Sequence, residues 1–114
     1  MVKITGRARR LRIYIGESDH YKGMPLYHAI VLKAKELGLA GASVFRGIEG
    51  FGANSRIHSA RILAISNDLP VLVDIVDSVE YIEKILPFLD EIVKEGLITI
   101  EDIEIIKYAN NKNE

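Results

Sequence analysis

An α+β fold is predicted, with strands and helices in the order β-α-β-β-α-β, and three observations predict it. Two stretches carry apolar residues at helical spacing, and four others alternate or run as β-branched strings. Glycine, proline and serine punctuate the boundaries between them. Strand-helix-strand recurs twice, which is the split-βαβ, ferredoxin-like plan: a four-stranded antiparallel sheet with both helices on one face and, here, a long loop after the second strand.

Leu11-Arg12-Ile13-Tyr14-Ile15-Gly16 alternates apolar and polar residues and predicts the first strand, starting as early as Arg7. Glu17 to Gly23 reads as a polar loop. Pro25 suits a first helical position, and Leu26, Ile30, Ala34 and Leu37 follow on one face, widened by Tyr27 and Val31. Gly38 ends that helix, and Ala40 to Gly47 is the second strand. Leu69 to Val76 is the clearest strand in the chain. Ser78 then caps a second helix with Val79, Ile82, Leu86, Leu89 and Val93 on one face. Pro87 falls inside it and predicts a kink near Glu83 to Leu86, because proline removes a helical hydrogen bond and crowds the preceding turn. Gly96 closes the helix, and Leu97 to Tyr108 carries the last strand. Ile57 to Ser66 reads as strand or helical turn. Ile62-Leu63-Ala64-Ile65 favours strand, with Asn67-Asp68 turning it back.

The chain has 114 residues, enough for a single domain over 1–114 with one core. Apolar residues make up 48%, which excludes a disordered chain. A net charge of −1 supplies no field toward nucleic acid or an anionic membrane. The absence of cysteine removes disulfides, thiolate metal sites and cysteine nucleophiles together. Apolar runs are too short to span a bilayer, and the N-terminus lacks a signal-peptide core. A cytoplasmic location without stable membrane insertion is therefore expected. In the third strand Val71, Val73 and Ile75 point one way, and Leu72 and Val76 the other. Helices cover only one face, so the other would expose an apolar patch that soluble monomers rarely show. Self-association through the sheet, as a closed ring, is expected.

The candidate site follows the second strand. Gly41, Gly47, Gly50 and Gly52 crowd one stretch, and residues 53 to 69 then form a connection longer than compact domains ordinarily use, which is a mark of function. Glycine N–H groups form a nest for anions, and Arg46, Arg56, His58 and Arg61 supply charge. The bland alternative is that the glycines only shape a loop and the arginines pair with Glu49 or a neighbouring subunit's acids. Arg7, Arg9, Arg10 and Arg12 fall on both faces of the first strand and read better as solvated or inter-subunit pairs than as a binding stripe. Glu17, Asp19 and His20 are hard or borderline metal ligands in one loop, but without a regular scaffold they read as solvated polars, and no metal site is assigned. Ser55 and His58 lack a third orienting group, so no catalytic residue is assigned. The third strand holds no alternating aromatics on which bases would stack, so no nucleic-acid partner is expected.

Leu11 to Glu17, Pro25-Leu26-Tyr27, Gly38 to Ala42, Arg46-Gly47-Ile48-Glu49-Gly50-Phe51-Gly52, Ser55-Arg56-Ile57-His58 and Asp68-Leu69-Pro70-Val71 together resemble the uncharacterised family called domain of unknown function 190. The resemblance covers about residues 8 to 108. That family is similar to the PII nitrogen-regulatory signalling proteins, and more distantly to CutA. The resemblance implies a homotrimer with its sheets packed inward, a T-loop over residues 53–69, and clefts between subunits where nucleotides or metabolites bind. It implies a protein partner met by the T-loop, with a transporter as the candidate. Together with the charges of the glycine-arginine block, it points to Arg46, Gly50, Phe51, Gly52, Asn54, Arg56 and His58 around a small anionic effector, a nucleotide included, with no cofactor. Gly50-Phe51-Gly52 matches the motif at the T-loop base, and Asn54 falls near a PII glutamine that helps hold metal and nucleotide. PII proteins carry a glycine-rich phosphate-binding loop where this chain has Lys94-Glu95-Gly96-Leu97, with one glycine. The expected function is a non-enzymatic signalling regulator. The alternative is a CutA-like metal-binding protein, or a small phosphoester-handling enzyme, using Glu17, Asp19 and His20.

Overall fold

The computed structural model describes residues 2–3, 6–51, 58–59 and 69–110. Four long elements make the sheet: β2 (Gly6–Gly16), β5 (Ser43–Arg46), β8 (Pro70–Asp77) and β9 (Leu97–Ile105). They lie in the order β5-β8-β2-β9, every neighbouring pair antiparallel. Helices α1 (Leu26–Glu36) and α2 (Val79–Ile92) cover one face, which is the expected ferredoxin-like arrangement. Val2–Lys3 (β1) pairs with Ala109–Asn110 (β10), joining the two chain ends beyond the β2–β9 ladder.

Strict alternation divides the strands between the two faces. Leu11, Ile13 and Ile15 of β2 and Val71, Val73 and Ile75 of β8 turn toward the helices and are buried. They meet Leu26, Ile30 and Ala34 of α1 and Ile82, Ile85, Leu89 and Ile92 of α2 in one core. The α2 stripe is thus centred on Ile85 and Ile92, with Leu86 and Val93 at its half-buried margin, one position from the expected line. A spacing of three, four and three residues keeps the buried set over the sheet. Each large core residue is worth about 2–5 kcal/mol against truncation to alanine.

Two boundaries differ from expectation for local reasons. The last strand stops at Ile105 and resumes as β10. The first loop contains a small hairpin, β3 (His20–Tyr21) with β4 (Met24–Pro25), so Pro25 ends a strand and precedes the helix. Its two-residue turn, Lys22-Gly23, has positive φ at both positions, as hairpin twist requires. Helix α2 runs unbroken through Pro87. Both Pro87 and Glu83, whose carbonyl loses its donor, are exposed, so the unmatched oxygen stays open to solvent. At the helix start, Ser78 is the N-cap residue, as expected, with no side-chain capping bond; Asp77 before it anchors the turn. Its buried carboxylate accepts from the Ser78 N–H at 2.7 Å and from the Ala40 N–H at 2.8 Å, tying the end of β8 to the chain leaving α1.

On the face away from the helices, the register aligns side chains into rows across the strands. Phe45, Leu72, Tyr14 and Leu97 form an apolar row. Ser43, Asp74, Arg12 and Thr99 form a polar row beside it, and Val76, Arg10 and Glu101 follow. Arg10 donates from Nε and Nη2 to the two Asp74 oxygens at 3.0 and 2.8 Å. That bidentate pairing holds the Arg10 guanidinium above the ordinary arginine range, with the nearby Asp74 and Glu101 charges adding to it and partial burial opposing it.

Candidate functional site

The long loop leaves the sheet at the end of β5 and returns at the start of β8, so its two stems are neighbours. Gly47 donates its N–H to the Pro70 carbonyl at 2.7 Å, closing the stems on each other. The approach is tight: a Cβ at Gly47 would lie 2.9 Å from Pro70 Cγ, and one at Gly50 would lie 3.2 Å from it. Glycine is needed at 47 for closeness of backbone to ring. Beyond that clamp the stems pair again as a short ribbon, β6 (Glu49–Gly50) with β7 (His58–Ser59), with Gly50 opposite His58. Alternating polarity cannot announce a ribbon two residues long, which is why this pairing is not legible in the sequence.

Arg46 closes β5 and Glu17 follows the last residue of β2. The two side chains form an ion pair across the first residues of β8, with the arginine 60% and the carboxylate 18% exposed. Glu17 also donates its backbone N–H to the Leu69 carbonyl at 2.8 Å. Three chain segments are thereby joined at one point below the loop: the exit of β2, the end of β5 and the entry to β8. The arginine keeps access to solvent while its charge is countered from within the subunit. Its acid is Glu17, where the sequence suggested Glu49 or a second subunit. The missed signal is positional, since Glu17 is the first residue after a central strand and Arg46 the last of an edge strand.

Ile48 and Phe51 flank the ribbon and are 79% and 73% exposed. Two large apolar groups at the loop base are thus presented to solvent. Of the sequence-derived candidates, Arg46, Gly50 and Phe51 and the His58 backbone come together at this base. Gly52, Asn54, Arg56 and Arg61 lie outside the described residues, as does most of the Ile57 to Ser66 stretch.

The alternative metal set does not assemble. Glu17 is held by Arg46, Asp19 accepts the Gly16 N–H at 3.0 Å, and the His20 ring nitrogen Nδ1 donates to the Ser18 carbonyl. Asp19 also accepts at its backbone carbonyl from Leu26 N at 2.7 Å, which seats the start of α1. Among the described residues no three histidine, aspartate or glutamate side chains gather closely enough to hold a metal ion. No helix among them is long and apolar enough to cross a membrane.

The connection from α2 to β9 is short. Gly96 takes φ +151°, and a Cβ there would stand 2.5 Å from the Tyr14 carbonyl oxygen. The single glycine of this connection is therefore needed to let β9 lie against β2.

The comparisons agree with this architecture. The sequence profile of DUF190, described as an uncharacterised ACR, matches residues 8–105. A UPF0166 protein of Aquifex aeolicus is 40% identical over 102 residues, covering 88% of this chain and 94% of the relative. A UPF0166 protein of Methanocaldococcus jannaschii is 37% identical over 102 residues, covering 89% of this chain and 94% of that one. Among solved structures, CPII of Thiomonas intermedia K12 bound to ADP and bicarbonate aligns with a TM-score of 0.54 at 16% identity, over 87% of this chain and 88% of that one. The same nitrogen regulatory PII-like protein bound to ADP, AMP and bicarbonate gives a TM-score of 0.57 over the same shares. At that identity the likeness is one of fold.

Proposed function

This chain belongs to the DUF190 family, and on that premise we propose that it is a trimeric PII-like regulator, not an enzyme. It binds a small anionic effector at the base of its long loop and presents residues 53 to 66 to a protein partner. The observation that carries this reading is that a solved protein of the same fold, aligned over 87% of this chain, holds ADP and bicarbonate. The effector here is accordingly an adenine nucleotide or a bicarbonate-sized anion.

The chain's own geometry supports the loop base as the place. Phosphate-binding sites of the glycine-loop kind need several free N–H groups and room around them. The α2–β9 connection offers neither, because Gly96 is pressed against Tyr14. The loop base offers Gly50 and Gly52, with Arg56, His58 and Asn54 to follow and Arg46 at the stem. Clamping by Gly47 and Pro70 fixes the stems, so a ligand there would act on the loop and leave the sheet undisturbed.

The test is calorimetric titration of wild type and Arg56→Ala with ADP, AMP, ATP and bicarbonate, with light scattering to follow the trimer. At least one ligand should bind wild type, and Arg56→Ala should bind it about tenfold or more weakly, since a charge-assisted hydrogen bond contributes about 1.5–3 kcal/mol. Equal binding by both would move the site away from the loop. No binding to wild type would leave residues 53 to 66 as a docking arm with no small-molecule role.

A further inference from the structure

Two arginine–carboxylate pairs tie strands together in this subunit, and they are built differently. Arg10 grips Asp74 with both Nε and Nη2, one nitrogen to each oxygen. Arg46 reaches Glu17 through Nη2 alone, to Oε2. Among the described residues, a guanidinium joined at one prong keeps most of its N–H donors for other acceptors. The two members of this pair also differ in freedom. Arg46 is 60% exposed and ends an edge strand, whereas Glu17 is 18% exposed and its backbone N–H is pinned to the Leu69 carbonyl at 2.8 Å. The carboxylate is therefore the fixed member, and the arginine is the one free to turn away. It sits at the stem of the long loop, next to the Gly47 N–H that closes on the Pro70 carbonyl.

We propose that Glu17 is a built-in competitor for the effector: its carboxylate occupies the cation that the effector's anionic group takes, and binding exchanges one for the other at Arg46. This inference rests on the effector reading above and adds to it the residue that sets the concentration at which the effector acts. An incoming anion displaces the carboxylate only if it offers Arg46 more than the single hydrogen bond that is given up. Oxyanions with two oxygens to match the guanidinium fork do so, and a single-point anion such as chloride does not. The exchange also changes how the loop is held. The pair ties the exit of β2 to the end of β5 across the entry to β8. Capture of Arg46 removes that outer tie and leaves the Gly47–Pro70 clamp as the fastening of the stems.

The experiment is calorimetric titration of wild type, Glu17→Gln and Arg46→Gln with ADP, AMP, ATP and bicarbonate, together with urea unfolding of each protein without ligand. Both variants lose the same ion pair, so their urea midpoints should fall together by a small amount while their affinities move apart. For a ligand that binds wild type, Glu17→Gln should lower the dissociation constant by about fivefold, and Arg46→Gln should raise it by about tenfold or more. Affinities that weaken together in both variants, or either variant binding like wild type, would overturn the competitor while leaving the effector reading standing. A wild type that binds none of the ligands would overturn the effector reading itself, and the competitor with it. If Glu17→Gln does not fold, Glu17→Asp, whose carboxylate is drawn back by one methylene, carries the same test with the same expected direction.

Discussion

At the scale of single residues, a glycine with close neighbours does different work from one in open space. Gly96 combines a left-side φ of +151° with a Cβ position 2.5 Å from a backbone oxygen that cannot swing away. Gly96→Ala should therefore lower stability by about 2–3 kcal/mol, read as a lower urea midpoint with an unchanged slope. Gly41 has nothing within 4 Å of its Cβ position. Gly41→Ala should leave the midpoint unchanged or raise it by up to about 1 kcal/mol. Equal losses at both sites would show that backbone freedom, and not the approach to Tyr14, sets the requirement. Glu17 offers a second residue-scale test. Its carboxylate counters Arg46, so Glu17→Gln frees a cation at the loop base. If the effector is anionic and binds there, Glu17→Gln should tighten it by several-fold, within the reach of a partly exposed ion pair of about 1 kcal/mol. Weaker binding in the same titration would mean that the pair itself builds the site.

At the scale of elements, β8 is the strand whose two faces have separate duties. Val73 is fully buried against both helices, whereas Leu72 lies in the apolar row of the open face. Val73→Asp should unfold the subunit, since an unpaired charge in that core costs several kcal/mol. Leu72→Asp should leave circular dichroism intact and dissociate the assembly in light scattering. The reverse pattern would mean that the helices, not the open face, make the subunit contact. The same strand explains what the sequence discloses. Its apolar run on both faces, the helical stripes beginning at Leu26 and Ile82, and the glycine and serine punctuation carry strong local signals, and they place every long element. The β3–β4 hairpin stays hidden because Lys22 holds a positive φ that favours asparagine, aspartate or glycine. Ribbons of two residues have no period to read. The Arg46–Glu17 pair spans 29 residues, and nothing in a linear pattern announces which acid meets which arginine. Of the site, the glycines were legible because a backbone requirement shows in the residue type. Pro70, the platform they rest on, read only as the start of a strand.

At the scale of the whole molecule, the chain is elongated, 48 × 27 × 26 Å. The β1–β10 ribbon pairs the two chain ends beyond the β2–β9 ladder, and the Tyr108 hydroxyl beside it donates to the Ala40 carbonyl at 3.1 Å. Tyr108→Phe removes one hydrogen bond at a half-exposed position. It should cost about 1 kcal/mol or less, a loss visible as a shift of a few degrees in melting temperature.

The clamp between Gly47 and Pro70 has one more consequence. Because the two stems are fastened where they leave the sheet, the scaffold is insulated from the number of residues strung between them. Lengthening such a closed span costs little, about 0.6 kcal/mol for each doubling. The span therefore behaves as an interchangeable cassette. Related chains are free to vary it, and an engineer can replace it with a reporter peptide, without redesigning the fold that holds it.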